Sequence, residues 1–160
     1  MFTSEFIRDT VLPEIARSGG ATVLASPFGM PLQLLRMDKY QPPTWVVGFG
    51  SEYENAIDKS AIDVETVLRA ANQSLTSVVQ NSWSAVGFWM VELPWGETLL
   101  IVEPVETFTH HGMAIDAAIR RDQEAIYNLA TEQVEEIQSV IASHYARDAK
   151  AEWLSDAIGE

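Results

Sequence analysis

Cysteine is absent from the 160 residues, and that one absence removes disulfide frameworks, thiolate nucleophiles and cysteine-type zinc sites together. Basic residues are scarce. Ten Lys and Arg stand against 23 Asp and Glu, giving a formal net charge of −13 and a pI near 4.5. A surface of that sign repels phosphate backbones and anionic membranes, so it argues against nucleic-acid or lipid binding by simple electrostatics; it also serves solubility. A neutral or basic partner is the expectation. No Lys or Arg occurs between Arg69 and Arg120, while Glu92, Glu97, Glu103, Glu106 and Asp116 all fall in that span.

Long apolar runs are also lacking. No window reaches 18 uninterrupted apolar residues, and the N-terminal stretch places Glu5, Arg8, Asp9 and Glu14 among its apolar positions. It reads as neither a signal peptide nor a membrane span, and a cytoplasmic location is expected. What is present is an apolar content of 47% against 21% charged, the balance of a folding domain, and a length that suits one domain without staples.

Along the chain, Phe6, Ile7, Val11 and Ile15 recur at helical spacing over 4–18, with Pro13 expected to kink or restart the helix and Gly19-Gly20 to stop it. Three strands follow, ATVLAS (21–26), PLQLLRM (31–37) and TWVVGFG (44–50), the first two joined by a turn at Pro27–Met30. The spacing of Val64, Val67, Leu68, Ala71, Leu75, Val78 and Val79 predicts a helix over 62–80, capped by Ser60 or Asp63. Two strands then turn at Pro94-Trp95-Gly96-Glu97, and a long amphipathic helix is expected from Gly112 to about Tyr145. The predicted order is α-β-β-β-α-β-β-α, an α+β fold with an antiparallel sheet covered by helices. Residues 1–145 form the domain, and 146–160 form an acidic tail or a short docking helix carrying Trp153.

The hairpin FWMVELPWGETLLIV poses a question, because it is apolar on both faces of each strand. If the first and last helices cover one face, the other face and a stripe on the middle helix have no partner within the chain. A second copy of the chain, in a two-fold dimer, is the expected cover.

Motifs for chemistry are weak. His110-His111 is the only histidine pair and His144 stands alone, with no accompanying metal-ligand spacing. Gly48-Phe49-Gly50-Ser51 lacks the third glycine of a phosphate loop, and Ser26 is not on a nucleophile elbow. No enzymatic activity, cofactor or metal is expected. Of the tryptophans, Trp45, Trp83, Trp89, Trp95 and Trp153, the pair Trp89 and Trp95 near the hairpin leans towards an interface.

The element order, size and acidity resemble the class I type III secretion chaperones of Gram-negative bacteria. Leu68-x-x-Ala71-Asn72-x-x-Leu75 is similar to that family's leucine and asparagine pattern before its hairpin, and Leu100-Ile101-Val102-Glu103-Pro104-Val105 resembles its last strand. The likeness covers roughly 4–145; the two prolines in 38–43 and the long C-terminal region depart from the pattern.

The resemblance implies a bacterial cytoplasmic homodimer formed through the middle helix and the fourth strand, here Val67, Leu68, Ala71, Leu75, Val78, Val79, Phe88, Trp89 and Met90. It implies apolar grooves that hold the N-terminal segment of a secreted effector in extended form and present it to the secretion apparatus. Phe6, Ile7, Val11, Val23, Leu24, Leu32, Leu34 and Met37 are the groove candidates. Competing readings are a toxin-neutralising immunity protein, whose interface follows its toxin, and a phage-encoded acidic inhibitor that mimics DNA. The mimic fits less well, since many of the acids alternate with apolar residues inside periodic segments.

Overall fold

A computed structural model describes residues 1–25, 31–36 and 42–137. The turn Pro27–Met30, Met37, His144, Trp153 and the 146–160 tail lie outside the described residues.

The chain opens with α1 (Ser4–Phe6), capped by the Thr3 hydroxyl, which accepts from the Phe6 amide at 3.1 Å. A π turn (Ile7–Val11) follows and runs directly into α2 (Leu12–Ser18). Pro13 explains the join: it has no amide to donate to the preceding turn, so the helix widens just before it and Leu12 donates back to Ile7 instead. Gly19, left-handed at φ 85°, ends α2.

The strands are β1 (Gly20–Leu24), β2 (Gln33–Leu34), β3 (Trp45–Gly48), β4 (Asn55–Asp58), β5 (Ala85–Glu92), β6 (Thr98–Phe108), β7 (Ala125–Asn128) and β8 (Gln133–Glu136). The helices α3 (Val64–Gln80) and α4 (His111–Arg120) complete the described fold. Asp63 caps α3 by accepting from the Thr66 amide at 2.8 Å. One antiparallel sheet runs in the order β2-β1-β5-β6-β3-β7-β8, with β4 also paired to β6. Along its other edge from β5, β6 pairs first with β4 through Leu99–Val102 and then with β3 through Val105–Phe108. The α+β class is thus as expected, with β4, β7 and β8 added to the predicted order.

Two expectations are corrected. The long final helix ends at Arg120: Asp122 takes φ 55°, and the chain returns as the β7–β8 hairpin around Glu132 at φ 57°. The three- and seven-residue spacings of Ile119, Ile126 and Leu129 imitate a helix, yet in β7 the buried positions are Ile126 and Asn128, two apart as in a strand.

The second correction answers the question posed by the hairpin. On one face, Val23, Val86, Phe88, Leu100 and Val102 pack with Ile7, Val11, Val67, Ala71 and Val78, so the stripe on α3 is covered within the chain. Beyond it, α4 sets Ala114, Ile115, Ala117 and Ala118 against Val47 and Ile126. On the opposite face, Val46, Ala85 and Val105 join Leu24, Trp89, Tyr127 and Leu129. The Trp89 and Tyr127 rings have centroids 6.5 Å apart, although β5 and β7 are three strands apart, about 14 Å in a flat sheet. The sheet therefore curls over its own second face, and a second copy of the chain is not needed to cover it.

Candidate binding surface

Burial separates the residues expected in the groove. Ile7, Val11 and Val23 are sealed in the core and present no surface. Phe6, Leu32 and Leu34 are half-buried and pack against that core together with Leu12, while half-buried Leu24 belongs to the inner face of the curl. Leu34 lies in β2, with Leu32 just before it, and β2 pairs with β1 through Val23–Leu34 and Leu24–Gln33. Among the described strands none pairs with the outer edge of β2.

Of the residues expected at a dimer interface, Val67, Ala71, Leu75, Val78 and Phe88 are buried within the single chain. That is the correction to the interface assignment: these side chains fill the space between α3 and the sheet. Leu68, Trp89 and Met90 are half-buried, and Val79, at 67% exposure, alone of the nine is open to solvent. Trp95 is exposed at the hairpin tip, its indole N–H donating to Glu97 at 3.0 Å.

A polar cleft of about 330 Å³ lies where the two ends of the curled sheet approach each other, lined by α2, β1, Leu35, Arg36, Tyr127, Leu129 and Glu132. Buried Glu14 is among its lining residues. Arg17 donates to it at 2.5 Å and Arg36 at 2.6 Å, and Arg17 also reaches Glu132 in the β7–β8 turn at 2.6 Å. The hydrogen bond and charge of Arg17 outweigh burial, and with Arg36 they hold the Glu14 carboxyl below the usual carboxylate range. Both cations of the cleft are thus engaged by carboxylates, which leaves it a cross-link between sheet ends.

His110 and His111 have structural partners. His110 caps α4, its Nδ1 accepting from the Met113 amide at 3.3 Å. His111 Nε2 lies 2.8 Å from Glu135, whose other oxygen accepts from Trp45 Nε1 at 3.1 Å and from Asn128 at 3.2 Å. Burial works against ionisation of Glu135, but the donors Trp45, His111 and Asn128 together hold its carboxyl below the ordinary range. No cluster of three or more His, Cys, Asp or Glu able to hold a metal occurs among the described residues.

The sequence reading passed over Glu103. It is 1% exposed, midway along β6, and its Oε2 has no hydrogen-bond partner. Burial first, then the nearby Glu54 carboxylate, pushes its carboxyl up to about 9. A lone acid inside the apolar run LLIVEPV was the available signal.

Comparison with protein-family models, with curated proteins and with solved structures returns no match. No helix among the described residues is long and apolar enough to cross a membrane.

Proposed function

We propose that this protein is a non-catalytic binding protein of the type III secretion chaperone kind, which holds an extended segment of a secreted effector in the bacterial cytoplasm before export. One observation carries the reading. Among the described strands none pairs with the outer edge of β2, which carries half-buried Leu34 with half-buried Leu32 just before it, so an added strand would find main-chain partners along the edge and apolar side chains beside it. The net charge of −13 suits a client or docking partner with basic flanks. A homodimer, in this reading, uses the outer side of α3, where Leu68 is half-buried and Val79 exposed.

The test is fluorescence anisotropy with labelled peptides taken from the N-terminal segments of secreted proteins of the host. At least one extended apolar segment should bind, and Leu34→Asp should weaken it by about tenfold or more, equivalent to about 1.4 kcal/mol. The unfolding temperature of the variant is measured in parallel. Binding that survives Leu34→Asp unchanged rejects the β2 edge as the site. Failure of every segment, with tight binding of one intact basic toxin instead, replaces the chaperone with the immunity reading.

A further inference from the structure

With two residues, β2 is the shortest described strand of the sheet. The pairs Val23–Leu34 and Leu24–Gln33 set its register on β1, and the Leu35 amide adds one bond to the Thr22 carbonyl at 2.8 Å. So short a strand gains little from its own pairing. The next residue, Arg36, supplies a different attachment: its guanidinium donates to Glu14 Oε2 at 2.6 Å. Glu14 is a firm anchor, 5% exposed in α2, and Arg17 of the same helix donates to its Oε1 at 2.5 Å and to its Oε2 at 3.2 Å. Arg17 also comes first among the groups that hold the Glu14 carboxyl low. Arg36, 64% exposed, can therefore swing into water without leaving a bare charge buried behind it. The pair is a fastening that can open and close.

We propose that Arg36 is a positioning residue, whose bond to Glu14 clamps the C-terminal end of β2 to α2 and keeps the outer edge of β2 ordered for an added strand. This rests on the β2 edge being the binding edge, and it names what holds that edge ready. Strand geometry makes the link direct. Main-chain groups of successive residues in an antiparallel pair point to opposite sides, so with the Leu35 amide turned to Thr22 of β1, those of Leu34 face outwards. Arg36 follows Leu34 by two residues, at most about 7 Å of chain. Releasing Arg36 frees the strand end beside those outward groups, and a client must then order that end before it can pair, which lowers its apparent affinity. Buried Glu14 acts on the edge only through Arg36.

Amide hydrogen exchange at Leu35 reads the clamp, and anisotropy with the labelled apolar segments reads its use. Arg36→Ala should lower Leu35 protection by about fivefold, the upper range for a partly exposed ion pair. The Met90 amide, bonded to the Gly19 carbonyl at 2.9 Å, should keep its protection. Arg36→Lys should restore much of the loss at Leu35. Glu14→Gln should lower Leu35 protection too, and the double variant should lose less than the sum of the two. Arg36 is exposed, so its arm of the test stands even where Glu14→Gln fails to fold. Glu132→Gln, which cuts only the other contact of Arg17, should leave Leu35 within about twofold. Segment affinity should fall in Arg36→Ala equally for acidic, neutral and basic flanks, since a residue touching the client would discriminate among them. Unchanged Leu35 protection in Arg36→Ala, or additive losses in the double variant, overturns the clamp. Lost protection with segment binding unchanged, or weakened for acidic segments alone, overturns its role at the edge. Lost protection in a protein that binds no segment rejects the β2 edge as the binding site and leaves the clamp standing.

Discussion

Glu14 and Glu103 both expose little surface, 5% and 1%, yet Glu14 lines a polar cleft while Glu103 is enclosed, and their carboxyls shift in opposite directions. Glu14 looks into the cleft between the sheet ends, where Arg17 and Arg36 hold it ionised. Glu103 looks onto the inner face of the curl, where its ionisable neighbour is another carboxylate. Burial sets the cost of a charge, and the neighbour decides whether the site keeps the charge or sheds it.

The largest expected effect comes from removing the neighbours that keep Glu14 charged. The double substitution Arg17→Ala with Arg36→Ala leaves a buried carboxylate without a cation. Breaking such a pair costs 3–5 kcal/mol when both partners are buried, so with both arginines half or more exposed we expect about 2–3 kcal/mol, measured by urea unfolding at neutral pH. Glu14 would then resemble Glu103, its carboxyl moving up instead of down.

Next in size is Glu103→Gln, which removes the proton requirement. With a folded carboxyl near 9 and an unfolded one near 4.5, the native state keeps a proton that the unfolded chain has released. This part of the stability is therefore complete below about pH 4.5 and is lost as pH rises towards 9, by at most about 1.4 kcal/mol per unit. Glu14 and Glu135 run the other way: their contribution is present above the unfolded carboxylate pKa and is lost as acid brings the pH through their lowered folded values. Native stability should peak on the acid side of neutrality. Glu103→Gln should flatten the alkaline limb, removing a slope of at most about 1.4 kcal/mol per pH unit. A denaturant series from pH 4 to 9 reads both limbs, and an unchanged alkaline slope in the variant would break the contrast.

The smallest effect is expected from Glu132→Gln. It removes one of the two carboxylates on Arg17, an exposed partner, and leaves the Glu14 pair intact, so thermal unfolding should change by about 0.5 kcal/mol or less. A larger loss would mean that the bridge between the sheet ends contributes more than the buried pair beside it.

The elements set by local signals were legible in the sequence. Gly19 ends the first helical stretch, Asp63 caps α3, and the β5–β6 hairpin turns at the residues its Pro and Gly mark. The signals failed where the deciding contact was distant. β4 is short and polar-flanked and exists because β6 offers it an edge, and the β7 stretch has helical spacing in the chain but pairs with β3 in space. Amphipathic pattern told which side of the first helix is apolar. It did not tell that Ile7 and Val11 would be sealed while Phe6 stayed half open, because depth depends on what packs above. Strand curl is a non-local property as well, and missing it is what left the second face of the hairpin without a cover.

The π turn before Pro13 sets the phase of the N-terminal helix. Ile7, Val11 and Ile15 are all buried at steps of four residues, a stripe that a helix of 3.6 residues per turn would let drift by about 80° over the two steps. The widened turn from Ile7 to Leu12 absorbs part of that drift and keeps the stripe on the core. The segment therefore behaves like a reading frame. Many substitutions fit at exposed Arg8 and Asp9, but deleting either residue would close the turn to an ordinary one and rotate Ile7, with Phe2 behind it, out of register with the sheet.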